Sequence, residues 1–132
     1  MSAAVGSPWS KPQLPTERPE LGPGLRPETL EAGLKRLAKR TDVKAIVAFG
    51  SRAREDASAA SDLDLLVISR QQHVAPEEQL PLWQSLRHDL GDMGVSVDLL
   101  LYGQQEAEKL AGSRWHVLGR AARQGRVLYV AR

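Results

Sequence analysis

Apolar residues recur along this chain in two rhythms. Residues 44–49, 63–68 and 95–101 carry short, dense apolar runs (Ala-Ile-Val-Ala-Phe, Leu-Leu-Val-Ile and Val-Ser-Val-Asp-Leu-Leu-Leu) with the length of buried strands. Around them a spacing of three and four takes over. Leu30, Leu34, Leu37 and Ala38 form a stripe behind Pro27, which suits a first helical turn. Lys35, Arg36, Lys39 and Arg40 crowd the far end of that helix, where cations favour the dipole. Leu82, Leu86 and Leu90, with Trp83 adjoining, mark a helix opened by Pro76 or Pro81 and closed in the glycine-bearing stretch 91–94. Residues 104–111 and 114–124 read as two more helices, with Ser113 as N-cap of the second and Gly125 as its stop. Residues 127–130 close the pattern as a terminal strand. Trp115, Leu118 and Ala122 share one helix face, which predicts core; an exposed Trp115 would instead mark a partner surface. The whole pattern predicts an α/β fold, a small mixed β-sheet with helices packed mainly on one face.

Residues 1–27 break this regularity. They hold most of the eight prolines, few large apolar groups, and a single aromatic, Trp9. Such a composition reads as a flexible Pro-rich extension preceding a domain at 28–132, with Trp9 as an incidental aromatic of that tail or, alternatively, a docking group. The 132 residues suffice for one core and leave no room for a second substrate lobe. The net charge of +2 comes from interspersed signs without a basic block, so nucleic acid is disfavoured as a direct ligand. The chain has no cysteine, which excludes disulfides and thiolate zinc sites. No apolar run approaches the ~20 residues needed to span a bilayer, and a signal-peptide core is missing, so a cytoplasmic location is expected. His73, His88 and His116 lack partners at metal-ligand spacing and read as structural or surface residues.

The candidate chemistry lies where strands end. Gly50-Ser51 terminates the first apolar run, and Asp62-Leu63-Asp64 opens the second. Asp62 and Asp64 project from one face, roughly 7 Å apart along a strand. On the third run Ser96, Asp98 and Leu100 share a face, so pairing of the two runs in one sheet would bring Asp98 beside Asp62 and Asp64. Three such carboxylates repel one another and raise at least one pKa unless a cation intervenes. Divalent ions about 3.5–4 Å apart would remove the conflict and clamp an in-line displacement at phosphorus. Oxygen-only ligands point to Mg²⁺, with Mn²⁺ as substitute, rather than zinc. Gly50 permits a sharp turn and close approach to a ligand. Backbone N–H groups there, with the Ser51 hydroxyl, can hold phosphate oxygens, and Arg52 and Arg54 can neutralise a triphosphate. Either dipeptide alone would be an ordinary turn or solvated loop; their order, strand flanks and third acid make the combination specific.

Phe49-Gly-Ser-Arg-Ala-Arg54 and Ser61-Asp-Leu-Asp-Leu-Leu-Val67 together resemble the signature of the DNA polymerase β nucleotidyltransferase superfamily. In size the chain resembles its minimal nucleotidyltransferases, the antitoxin-like members of HEPN/MNT toxin–antitoxin pairs. The resemblance extends over residues 28–130 and includes the ending Ala121-Ala-Arg-Gln-Gly-Arg-Val-Leu-Tyr129. It implies that Gly50 and Ser51 bind nucleotide phosphates and that Asp62 and Asp64 ligate two Mg²⁺ ions. It further implies that Asp98 holds the catalytic ion and takes the proton of the attacking hydroxyl. Many relatives carry glycine where this chain has Glu55, a departure outside the catalytic set.

The resemblance implies transfer of NMP, with ATP as the leading donor, to a hydroxyl of a partner protein, foremost a HEPN-type toxin. Two other readings stay open: a nucleotidyltransferase acting on a small molecule such as an antibiotic, and a non-catalytic antitoxin that masks its toxin. Homo- or hetero-oligomers are compatible with all three.

Overall fold

The computed structural model describes residues 7–132, and strand alternates with helix much as the apolar rhythm predicts. The order is α1 (Pro27–Ala38), β1 (Val43–Phe49), α2 (Gly50–Arg54), β2 (Leu63–Ser69), α3 (Pro76–Leu90), β3 (Val97–Tyr102), α4 (Gln104–Ala111), α5 (Val117–Gln124) and β4 (Arg126–Val130). Proline opens both α1 and α3, where its missing N–H would have had no intrahelical partner. Pro81 therefore lies inside α3 instead of starting it.

The strands form one mixed sheet in the order β3-β2-β1-β4. β1 is antiparallel to β2 and to β4, whereas β2 and β3 run parallel. A parallel pair needs a long crossover, and α3 supplies it. The register aligns the acids: Asp64 stands opposite Phe49 on one neighbour and opposite Asp98 on the other.

The α/β class and mixed sheet are as expected, but the helices are shared between the two faces. Ile46, Ala48, Leu65, Val67, Leu99 and Leu101 pack with Leu30, Leu34 and Leu37 of α1 and Leu86 and Leu90 of α3. Ala45, Val47, Leu66 and Ile68 pack with Ala107 of α4 and Leu118 and Ala121 of α5. The cause is visible in β1 and β2, whose runs are apolar at successive positions and so require cover on both sides.

Two further expectations are corrected. Helix α5 begins at Val117, not at Arg114, and its cap is His116, whose Nδ1 accepts from the Leu118 N–H. The His116 ring is held edge-on to Tyr102 at 5.9 Å, which fixes the turn before the helix. Trp115 consequently stays outside the helix and is 86% exposed, not core.

The second correction concerns the N-terminal segment. Residues 7–26 lie against the body instead of forming a flexible extension, while 1–6 fall outside the described residues. Trp9 is buried on the α4–α5 face, and Leu21 and Leu25 are buried on the α1–α3 face. Gln13 exchanges backbone hydrogen bonds with Val130, and the Thr16 N–H donates to the Leu128 carbonyl. The segment thus covers the open edge of β4, and scattered anchors do what a continuous apolar stripe does elsewhere. At the opposite edge, Trp83 Nε1 and Gln79 Nε2 of α3 donate to the Leu99 and Leu101 carbonyls of β3 at 2.8 and 3.2 Å. Arg40 joins α1 to α3, pairing with Asp42 and with Asp89 at 2.9 and 2.7 Å. Among the described residues no helix is long and apolar enough to cross a membrane.

Candidate active site

At one end of the sheet, β1 finishes while β2 and β3 begin, and the predicted acids gather there. Asp62 directly precedes β2, Asp64 is its second residue, and Asp98 is the second residue of β3. The Leu63 N–H donates to the Ser96 carbonyl at 2.8 Å, so the ladder extends to the ends that carry the acids. Because side chains alternate, Asp64 and Asp98 lie on the face that Leu66, Leu100 and α5 share. Asp62 and Asp98 are exposed, and Asp64 is half-buried between its neighbours.

Burial pushes the Asp64 carboxyl above its ordinary value, and the charges of Asp98 and Asp62 push it further, with Arg54 opposing. Burial foremost, and the two neighbouring acids after it, thus disfavour the ionised form of Asp64. The donor set is all oxygen, which suits a hard divalent cation in kind. Among the described residues, however, no three acidic, histidine or cysteine side chains converge closely enough to hold one ion together. The three acids are neighbours that feel one another's charge, not an assembled cage.

Gly50 is tied to this cluster by backbone shape. Its φ is +74°, and a Cβ at this position would collide with the Asp64 carboxylate. Only glycine lets β1 turn into α2 while touching that acid. Ser51 follows, half-buried, in the single turn of α2. Glu55 ends the turn with φ of +68° and is exposed. The left-handed backbone explains why glycine suits this position, and exposure keeps the Glu55 charge in solvent.

The two arginines of the motif part company. Arg54 is exposed, pairs with Asp56 at 3.3 Å and offsets the charge of Asp64. Arg52, expected at the phosphates, is corrected: it is 1% exposed and turned into the protein. Its guanidinium donates to the carbonyls of Leu21, Pro23, Ser58 and Ser61, which uses all five of its N–H groups. It braces the loop leading to Asp62 and cannot also face a ligand.

A second group of residues reaches the site from α5. Val117, Arg120 and Gln124 face Phe49, Gly50 and Arg54 across a cleft of about 160 Å³. Arg120 is exposed and makes no side-chain hydrogen bond or ion pair among the described residues. The spacing of 117, 120 and 124 is a helix-face signal. Nothing local says that this face meets α2, because that depends on how α5 crosses the sheet. His73 and His88 stay apart from this end, in the loop before α3 and in its last turn.

The sequence profile of the family described as polymerase beta, nucleotidyltransferase matches residues 33–129. Among solved structures, the chain is similar to a Sulfolobus solfataricus protein provisionally described as a nucleotidyltransferase. The two are 16% identical with a TM-score of 0.48, over 78% of this chain and 75% of the other. No curated protein matches the chain. The matched span runs from α1 to β4 and takes in the Gly50 turn and all three acids, and the chain belongs to the polymerase β nucleotidyltransferase family.

Proposed function

We propose that this nucleotidyltransferase moves NMP, AMP from ATP foremost, onto a hydroxyl of a partner protein, and that a HEPN-type toxin so modified is silenced. The observation that carries the transfer chemistry is the register of Asp64 against Asp98, with the Gly50 turn packed on the Asp64 carboxylate. In this reading the acceptor oxygen attacks the α-phosphorus, a new P–O bond forms, and the α–β bridging P–O bond breaks to release pyrophosphate. Asp98, exposed beside the acceptor's approach, takes the hydroxyl proton. Gly50 and Ser51 bind the phosphates, and Arg54 offsets their charge. Asp62, Asp64 and Asp98 do not converge on one ion by themselves; in this reading they would draw together around Mg²⁺ bound with the nucleotide, which would supply charge stabilisation for the displacement.

Support for a protein acceptor comes from one surface feature. Trp115, 86% exposed between α4 and α5, is the kind of aromatic that anchors a protein contact.

Intact mass spectrometry tests the proposal. The full chain and its co-encoded partner are incubated with Mg²⁺ and each NTP, beside an Asp62→Ala/Asp64→Ala double variant. The partner is expected to gain one or more NMP masses with the natural chain and none with the variant. An unmodified partner that the variant still neutralises would favour a masking antitoxin. An unmodified partner that is not neutralised at all would favour a small-molecule acceptor.

A further inference from the structure

The geometry points to Arg120 as the cation that receives the leaving phosphates, in the place the motif's Arg52 does not fill. This rests on the nucleotidyl-transfer reading and adds a residue to it. Three guanidiniums stand near the Gly50 turn, and their environments differ. Arg52 has spent every N–H on backbone carbonyls. Arg54 shares its charge with Asp56. Arg120 is exposed, has no acidic partner among the described residues, and lines the same cleft as Gly50 and Arg54.

The cleft itself indicates which part of a nucleotide belongs there. At about 160 Å³ it is smaller than the ~300 Å³ at which pockets for whole drug-sized ligands begin. It therefore takes a portion of the ligand. Its wall adjoins Asp64 through Gly50, so a ligand spanning both would have its reacting phosphorus by the acids and its remainder in the cleft. Two guanidiniums at the cleft and three carboxylates outside it divide the charge. The anionic β- and γ-phosphates fit between Arg54 and Arg120, where a planar fork can hold two phosphate oxygens. Pyrophosphate leaving after transfer would remain against the same pair.

Direct binding of the full chain distinguishes this from its alternatives. The four ribonucleoside triphosphates and their monophosphates are titrated calorimetrically with Mg²⁺ into the natural chain, Arg120→Ala, Arg120→Lys and Arg114→Ala. Arg114 is an exposed cation before α5 that does not line the cleft. Arg120→Ala is expected to weaken the preferred triphosphate about tenfold, or about 1.4 kcal/mol, and its monophosphate less than about twofold. Arg120→Lys, which keeps the charge and loses the fork, should fall between, and Arg114→Ala should match the natural chain. Undiminished triphosphate affinity in Arg120→Ala overturns the assignment alone. So does an equal loss of tri- and monophosphate, which would place Arg120 on the nucleoside side, or an equal loss in Arg114→Ala, which would make the effect one of general charge. A natural chain that binds none of the triphosphates overturns the transfer reading, and this assignment with it.

Discussion

Asp64 is the residue on which the site's electrostatics converge. It is half-buried, in register with one acid and two residues from another, with one exposed arginine in opposition. A carboxyl whose folded-state pKa is raised resists ionisation in the folded protein. Below the ordinary carboxylate range it is protonated in both states and no penalty exists. As pH rises through that range the unfolded chain loses its proton first, so stability falls until the raised value is passed, and the penalty then stays constant. Asp64→Asn should therefore melt higher than the natural chain near neutral pH, with the gap closing as pH falls to about 3. Thermal melts across pH, read by circular dichroism, check this; a gap that widens in acid would refute it. Magnesium should raise the melting temperature of the natural chain by mass action and leave the Asn variant nearly unmoved.

Among elements, the short turn α2 shows how adjacent residues of one motif serve opposite ends. Its sequence, Gly-Ser-Arg-Ala-Arg, spans five residues, and Arg52 and Arg54 leave it in different directions. Arg52 gathers carbonyls from the N-terminal segment and from the loop before β2, so it holds three stretches of chain in one place. Arg52→Ala would strand those carbonyls, the burial having cost a charge its hydration, and should destabilise by about 3 kcal/mol or more. Arg54→Ala removes one exposed pair and should change stability by less than about 0.5 kcal/mol while lowering transfer activity. Urea denaturation of both variants separates them, and equal losses would contradict the division of roles. The motif's residue types were legible in the sequence because chemistry requires them in that order. Their directions were not, since two arginines two positions apart on a single turn look alike until the partners of each are known. Arg120 was hidden for a related reason: its helix is readable within the stretch 114–124, but the neighbour it faces is set by how α5 crosses the sheet.

For the whole molecule, the division between legible and illegible follows the density of apolar residues. β1, β2 and β3 announce themselves through dense apolar runs, and the acids within β2 and β3 could be placed because strand periodicity is rigid over a few residues. The segment before α1 has no such rhythm. Its prolines and polar groups look like linker, yet Trp9, Leu21 and Leu25 are each buried to within about 5% of complete cover. Trp9→Ala should cost about 3–5 kcal/mol if the indole is a core group, and almost nothing if the segment is a tail. Chemical denaturation of this variant decides between them. The covering of both sheet faces ran against the one-sided packing expected from the sequence; its cause lies in β1 and β2, whose runs lack the polar alternation of a one-sided sheet.

The pairing of Gln13 with Val130 places the chain's early and late residues side by side, and the Gln13 amide reaches the Val127 carbonyl across 114 positions. On a ribosome this closure cannot occur when residue 13 emerges; its partner strand is still unmade. The nascent domain must carry Trp9 and its neighbours undocked until β4 is synthesised, and a contact of such sequence separation slows the last stage of folding. Arg52 draws two of its carbonyls from the same segment, so the bracing of the loop before Asp62 also waits on that segment's docking. The strands that carry the acids pair with β1 and with each other, so their register can form before β4 is made, while the brace on the loop before Asp62 comes later.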